Sequence, residues 1–398
     1  MVVDPPVHRR CTDGWRVESS EIDPDHPATF LCSGNAITLS FRTGNDPRIE
    51  GSDGGKSLGH YVYIPIGGEN TIQIHELDPA SGALTLRHEL TLPTCGRALC
   101  TDPGLNCLYV ALHDDESNTA VVTCRIDAED GGLTPIAEVD LEGHKSCYLS
   151  TDRSGRFLLS AYYSDGLVTV HPIGDDGAAH GPPADRVVTE RYAHWVATDR
   201  ANRYAFVPHV QSANRIYQFR FDAAVGKLTA NAVSSVGAGP GQGPRHLAYH
   251  PVLDVVYADN EQECSVTVYH LDTAAGTLSA VQTVSTLPEA GFDGEKSNAQ
   301  LHIHPDGRAV YASNRGPDSI AMFAIDPSSG AITSLGQQPA QKIPRSFGID
   351  PDGDFLISGA DESNILTTFR IDRRGDLEPV AEYDIGGPSA WVLPVKLG

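Results

Sequence analysis

The stretch IQIHELDPASGAL, residues 72–84, is written again as SVTVYHLDTAAGTL at 265–278 and as SIAMFAIDPSSGAI at 319–332. Each copy runs through an alternating apolar strand into Asp, three residues, Gly, one residue and an apolar residue. Related versions pair Asp127 with Gly131, Asp222 with Gly226, and Asp372 with Gly375, the last in a hairpin one residue shorter. The marker aspartates at 78, 127, 222, 272, 326 and 372 are therefore separated by 49, 95, 50, 54 and 46 residues. The long interval holds two repeats, with a degenerate copy in LVTVHPIGDDG around Gly174. Seven copies of a unit of about 50 residues, built from short strands of period two and turn residues, predict a radial array of four-stranded sheets. The expected fold is an all-β, seven-bladed β-propeller.

A second marker, Asp or His usually followed by Pro or a turn, ends one strand of each repeat: Asp102, Asp152, Asp199, His250, His304 and Asp350. The first repeat, YVYIPIGGENTIQIHELD, has only three strands. A propeller must close its ring, so the C-terminal segment from about Ser389 to Val395 is expected to complete the first blade. Residues 58–398 then form the propeller. Residues 1–57 lack the repeat and read as a partly ordered extension lying on it, with TFLCSGNAITLSF (29–41) as a hairpin.

The chain carries 52 acidic and 29 basic residues, a net charge of -23. That balance argues against nucleic acid or an anionic membrane surface as a partner. No apolar run has the length of a membrane span and the N-terminus has no apolar signal core, which suits a cytoplasmic protein. Eight cysteines without paired close spacing suit reduced thiols, not a disulfide framework or a zinc site.

In a propeller the innermost strand of each blade lines the central channel, so a column of the repeat alignment becomes a ring. Five residues before the second marker the column reads Arg97, Cys147, His194, Arg245, Ala299 and Arg345; one residue later it reads Ala98, Tyr148, Trp195, His246, Gln300 and Ser346. Where the next strand ends, the column reads Gly67, His113, Tyr163, Val210, Glu261, Arg315 and Asp361. Columns that only pack should hold small or apolar residues. These hold different charged and hydrogen-bonding residues in different blades.

Arg97, Arg245, Arg315 and Arg345 converging on one funnel suggest capture of carboxylate or phosphate groups. The structural alternative pairs each with a carboxylate such as Glu261 or Asp361. Glu261 is a candidate general base or an ion-pair partner, and His194 and His246 are candidates for proton transfer. His302 and His304, at i and i+2, face one side of a strand, but His304 sits in the turn-marker column, so no metal is expected. No cofactor is expected either: there is no phosphate-binding glycine loop and no GxSxG elbow, and the glycines of GAGPGQGPRH lead into a strand.

GQGPRHLAYHP (241–251), Asn260-Glu261, HPDGRAVYASNRGPDSIAMFAID (304–326) and PRSFGIDPDG (344–353) together resemble the lactonase family of seven-bladed propellers. That family includes propeller-type 6-phosphogluconolactonases and 3-carboxy-cis,cis-muconate lactonizing enzymes. The resemblance spans about residues 58–398 and implies lactone chemistry on a small anionic molecule. It carries functional roles onto Arg245, His246, Glu261, Arg315, Arg345 and His194. Tyr148 stands where histidine is usual, Gln300 where Glu is usual, and PHVQ at 208–211 replaces an Asp-containing turn.

The expected function is ring opening or closing of a carboxylated or phosphorylated lactone in the funnel. Glu261, His194, His246 and Tyr148 are the candidate catalytic residues. Arg245, Arg315, Arg345, Arg97, Gln300, His113 and Tyr163 are the candidate substrate-binding residues. Hydrolysis would use Glu261 or a histidine to deprotonate water, and cycloisomerisation would use Tyr148 or His194 as an acid. A lyase or isomerase acting on an aromatic-catabolism product, or a non-catalytic binding module, remain as alternatives. The protein is expected to work as a monomer or homodimer.

Overall fold

The computed structural model describes residues 59–114 and 118–398, together with three short strands at Ala28–Cys32, Asn35–Ser40 and Arg48–Gly51. Chain contacts divide the protein into two units, Met1–Ser57 and Leu58–Gly398. In the first, the three short strands form an antiparallel sheet whose first pair is the hairpin expected at 29–41. Most of the segment expected to lie on the propeller falls outside the described residues.

In the second unit, seven four-stranded antiparallel sheets follow one another, and no helix occurs among the described residues. The innermost strands are Leu393–Leu397 in blade 1, Gly96–Thr101 in blade 2, Ser146–Thr151 in blade 3 and Ala197–Thr198 in blade 4. Blades 5 to 7 use Pro244–Tyr249, Ser297–Ile303 and Ser346–Ile349. The fold is the seven-bladed β-propeller expected from the repeat.

The two sequence markers have separate physical jobs. The strand-ending aspartates cap the turn that follows: Asp152 Oδ1 accepts the N–H groups of Arg156 and Phe157, and Asp199 Oδ1 those of Arg203 and Tyr204. His250 replaces Asp in this role because its Nδ1 accepts from Val252 and Leu253 at 3.1 and 2.9 Å. A ring nitrogen can do what a carboxylate oxygen does here.

The Asp-x3-Gly hairpins make the joints between blades. Gly82 has φ +80°, and a Cβ there would stand 2.4 Å from the ring of Phe355 in blade 7. Gly276 of blade 5, at φ +65°, meets Tyr204 of blade 4 in the same way. Both the left-handed backbone and the close approach of the neighbouring ring demand glycine. Buried tyrosines complete the joint from the preceding blade: the hydroxyls of Tyr63, Tyr257 and Tyr311 donate to the carbonyls of Gly131, Gly330 and Gly375 at 2.9, 2.8 and 3.0 Å.

The apolar core is correspondingly divided into seven clusters, one for each pair of adjacent blades. The pair formed by blades 7 and 1 includes Phe355 and Ile357 against Val62 and Ile64. The C-terminal strand pairs antiparallel with Gly59–Ile66, Leu393 opposite Tyr63 and Leu397 opposite Gly59, and so closes the ring in the first blade. It begins a few residues later than the sequence suggested: Ser389 makes only an isolated bridge to Ile66, and Ala390, Trp391 and Val392 bulge between. Lys396 Nζ fixes the far end by binding both carboxylate oxygens of Asp352, which also contacts His60 Nε2 at 2.8 Å.

Deleting residues 389–398 should leave the Gly59–Ile66 strand without its inner partner and expose the blade 1 core. Loss of the buried Val395 and Leu397 and of a ladder of hydrogen bonds is expected to cost about 5 kcal/mol or more. Urea unfolding should show this as a lowered midpoint, and an unchanged midpoint would mean that the ring does not depend on this strand.

Candidate active site

A β-strand sends successive side chains to opposite faces, yet two adjacent columns of the alignment carry the chemistry. Bulges in the inner strands resolve this. In blade 5, Pro244 pairs with Asn260 and Leu247 with Ala258, so Arg245 and His246 together stand opposite Asp259. In blade 6, Ala299 and Gln300 stand opposite Ser313, and in blade 2, Arg97 and Ala98 stand opposite Ala111. The extra residue twists the strand and re-aims its neighbours, so consecutive side chains reach the channel. Ala390 and Trp391 occupy the same bulge in blade 1.

The bulged residues surround a cavity of about 100 Å³ on the channel axis. Arg97, His113, His194, Arg245, His246, Gln300 and Arg345 all line it, together with Cys147, Asp361 and Trp391. The sequence columns thus bring together side chains that lie as far as 264 positions apart, from Arg97 to Asp361.

Three of the four arginines are held by carboxylates. Arg315 Nη2 lies 2.7 Å from Glu261 Oε1 and donates to the Asn298 carbonyl at 2.6 Å, while Arg245 Nε approaches Glu261 Oε2 at 3.4 Å. Arg345 Nη1 donates to Asp361 Oδ2 at 3.1 Å. Arg97 makes no ion pair among the described residues, and its Nε is buried without a partner. Four guanidiniums therefore face two of the ring carboxylates, Glu261 and Asp361. Positive charge predominates locally in a chain of net charge -23.

The histidines stay neutral in this setting. Burial, then the charges of Arg245 and Arg345, hold His194 well below its ordinary range. Burial, Arg245 and His194 do the same to His246, whose Nε2 lies 3.1 Å from Arg245 Nη1. A guanidinium has only donors, so this nitrogen accepts and His246 orients Arg245. His194 has a buried Nδ1 without a partner and packs edge-on to His246, with ring centroids 5.3 Å apart. Burial pushes Arg245 itself down to about 10, with Glu261 opposing the shift.

Other expected site residues lie apart from the cavity wall. Glu261 and Arg315 stand behind it as the ion pair just described, an arrangement that spends the Glu261 carboxylate on two guanidiniums. Tyr163 packs edge-on against His194 at 5.6 Å and Tyr192 at 5.1 Å. Tyr148 makes edge or tilted contacts with Trp195, His246 and Trp391 and lines a second cavity of about 360 Å³. His246 and Gln300 line both cavities, so this cluster forms the floor between them. Burial raises the Tyr148 phenol above its ordinary range, so that it stays protonated. Gln300 Nε2 is occupied by His302 Nε2 at 2.8 Å, and His304 is spent on Asp306 and the Gly353 carbonyl, as its turn-marker position implied.

Trp391 is the chief funnel residue that the columns omitted. No Asp-Pro or His-Pro marker follows the last strand, so it could not be aligned on one. Its signal lay in the match of Ser389-Ala390-Trp391-Val392 to Ser146-Cys147-Tyr148-Leu149.

A family model described as lactonase, seven-bladed β-propeller, matches residues 57–394. This chain belongs to the lactonase family of seven-bladed β-propellers. A 6-phosphogluconolactonase of Pectobacterium carotovorum subsp. carotovorum is 36% identical over 338 residues, covering 84% of this chain and 98% of that protein. One from Erwinia tasmaniensis is 36% identical over 317 residues, covering 79% and 93%. Among solved structures, the periplasmic gluconolactonase PpgL of Pseudomonas aeruginosa aligns with TM-score 0.77 at 25% identity, over 86% of this chain and 100% of that one. The chain is an enzyme of the lactonase, hydrolytic class. These relatives lend no support to the cycloisomerase or aromatic-catabolism alternatives. Among the described residues, no helix is long and apolar enough to cross a membrane.

Glu261→Gln should release both guanidiniums. We expect a loss of about 2–4 kcal/mol in unfolding free energy, and a KM raised more than kcat is lowered. A stable variant whose kcat alone falls about a hundredfold would return the general base to Glu261.

Lowered histidine pKa values keep the basic, neutral imidazole present as pH falls through 6.5. At saturating substrate, kcat should therefore not fall as pH is lowered from 7.5 to 6. An acid limb with its midpoint near 6.5 would contradict a site built on these neutral histidines.

Proposed function

We propose that this lactonase hydrolyses the lactone of a phosphorylated sugar acid, of the 6-phosphogluconolactone type, in the central funnel. The excess of guanidinium over carboxylate around the 100 Å³ cavity supports this reading most directly. A space of that size suits the reacting end of a small molecule. Arg97 and Arg345, both with accessible surface at the rim, would take the phosphate.

Neutral His194 takes a proton from water as the water oxygen bonds to the lactone carbonyl carbon. Arg245, steered by His246 and Glu261, stabilises the resulting oxyanion. The bond from that carbon to the ring oxygen then breaks, the ring oxygen takes up a proton, and the new carboxylic acid releases one to solvent. We place the reaction in the cytoplasm: the six described cysteines are all unbonded, which suits a reducing compartment. The second reading, hydrolysis of an unphosphorylated sugar lactone, is favoured by the likeness to the Pseudomonas gluconolactonase.

Proton release in weak buffer, corrected for spontaneous opening, distinguishes the two. The 6-phosphorylated 1,5-lactone of gluconic acid should be opened with kcat/KM about a hundredfold or more above the unphosphorylated lactone, as expected for a desolvated charge pair of ~3 kcal/mol. Arg97→Ala should raise KM for the phosphorylated lactone about tenfold or more and leave the unphosphorylated lactone nearly unaffected. Equal turnover of both lactones would transfer the assignment to the second reading.

A further inference from the structure

Asp259 is fully buried beside the funnel, and no part of the reaction scheme above uses it. It lies on the second strand of blade 5, opposite the bulge that holds Arg245 and His246. Its Oδ1 accepts the main-chain N–H of His246 at 2.7 Å, and its Oδ2 is buried without a partner. The fold supplies its own control for this position. The residues opposite the bulge are Ala111 in blade 2, Ala161 in blade 3 and Ser313 in blade 6. Ser313 Oγ accepts the Gln300 N–H at 3.1 Å, the same bond that Asp259 makes. The bulge therefore forms without any acceptor and, where one is used, a neutral hydroxyl suffices. An ionisable carboxyl group in this place is not required by the backbone, and burying one is costly.

We infer that Asp259 is a positioning residue of the funnel, whose carboxyl group fixes the Arg245-His246 bulge from behind and sets the anion affinity of Arg245. The groups facing it are Arg245 and His246 from the inner strand, Glu261 from its own strand and Arg315 from blade 6. With Asp259 ionised, a second negative charge besides that of Glu261 acts on Arg245, which then attracts an anion less strongly. With Asp259 protonated, only Glu261 competes. Burial pushes the Asp259 carboxyl group up to about 7 against the opposing pull of Arg245, so the change of state falls within the working range. His194 and His246 are neutral throughout that range and do not contribute. The catalytic part of this role rests on the lactonase reading of the funnel; the anion-binding part does not.

Sulfate is a suitable probe because its charge is constant between pH 5.5 and 8.5. Calorimetry on the full chain should show sulfate binding weakening about tenfold from pH 6 to 8.5, as expected for one added charge beside Arg245. Asp259→Ser keeps the acceptor, as Ser313 does, and should bind sulfate at pH 8.5 as the unchanged protein does at pH 6, with little pH dependence. Asp259→Ala should share that flat profile but lower kcat, and Asp259→Ser should restore kcat. Thermal unfolding will show whether each variant is folded. Retention of the full pH dependence by a folded Asp259→Ser would overturn the proposal, as would equal kcat in the Ala and Ser variants. If the unchanged protein opens no lactone but shows the sulfate profile, the lactonase reading of the funnel falls and the anion-binding role of Asp259 stands.

Discussion

The structure depends on the joint between neighbouring blades. No blade buries both of its apolar faces alone, and the core consists of seven separate clusters, each shared by two adjacent blades. The repeated hairpin sequence is the chemical form of that joint. Its glycine lets the turn lie against an aromatic ring of the preceding blade, and a buried tyrosine hydroxyl from that blade binds its carbonyl. A ring of such joints has no free end once the C-terminal strand enters blade 1. Closure also directs every inner strand at one axis, which makes a funnel out of residues far apart in the chain.

The inner-strand bulge converts this scaffold into a site. In a regular strand, Arg245 or His246 could face the channel, but not both. The bulge delivers the pair, and the imidazole then holds the guanidinium by accepting from it. Burial, reinforced by the same crowding of positive charge, keeps the two histidines neutral. Glu261 and Asp361 limit the repulsion among the arginines without cancelling it.

The departures from the usual lactonase pattern acquire a physical meaning at the floor of the funnel. Tyr148, in place of a histidine, meets Trp195, His246 and Trp391, closing the channel with aromatic rings. Gln300, in place of Glu, leaves this part of the cavity wall uncharged, and its amide is engaged by His302. Both changes leave the arginines and His194 in place.

The sequence by itself determined the repeat, the number of blades and the closure, because turn and strand chemistry are local and recur at a fixed interval. It also determined which residues meet, since a ring turns a column of an alignment into a neighbourhood. It did not determine what the meeting residues do. Glu261 reads equally as base or ion-pair partner until distances place two guanidiniums on its carboxylate. Tyr148 reads as a candidate proton donor, and the sequence does not show that its ring packs among Trp195, His246 and Trp391. Asp259 looks like an ordinary residue within a strand until the register puts it behind Arg245 and His246. Trp391 required the closed ring to enter the funnel at all. These placements depend on side-chain direction, burial and charge at distances of a few ångströms, and only the tertiary structure decided them.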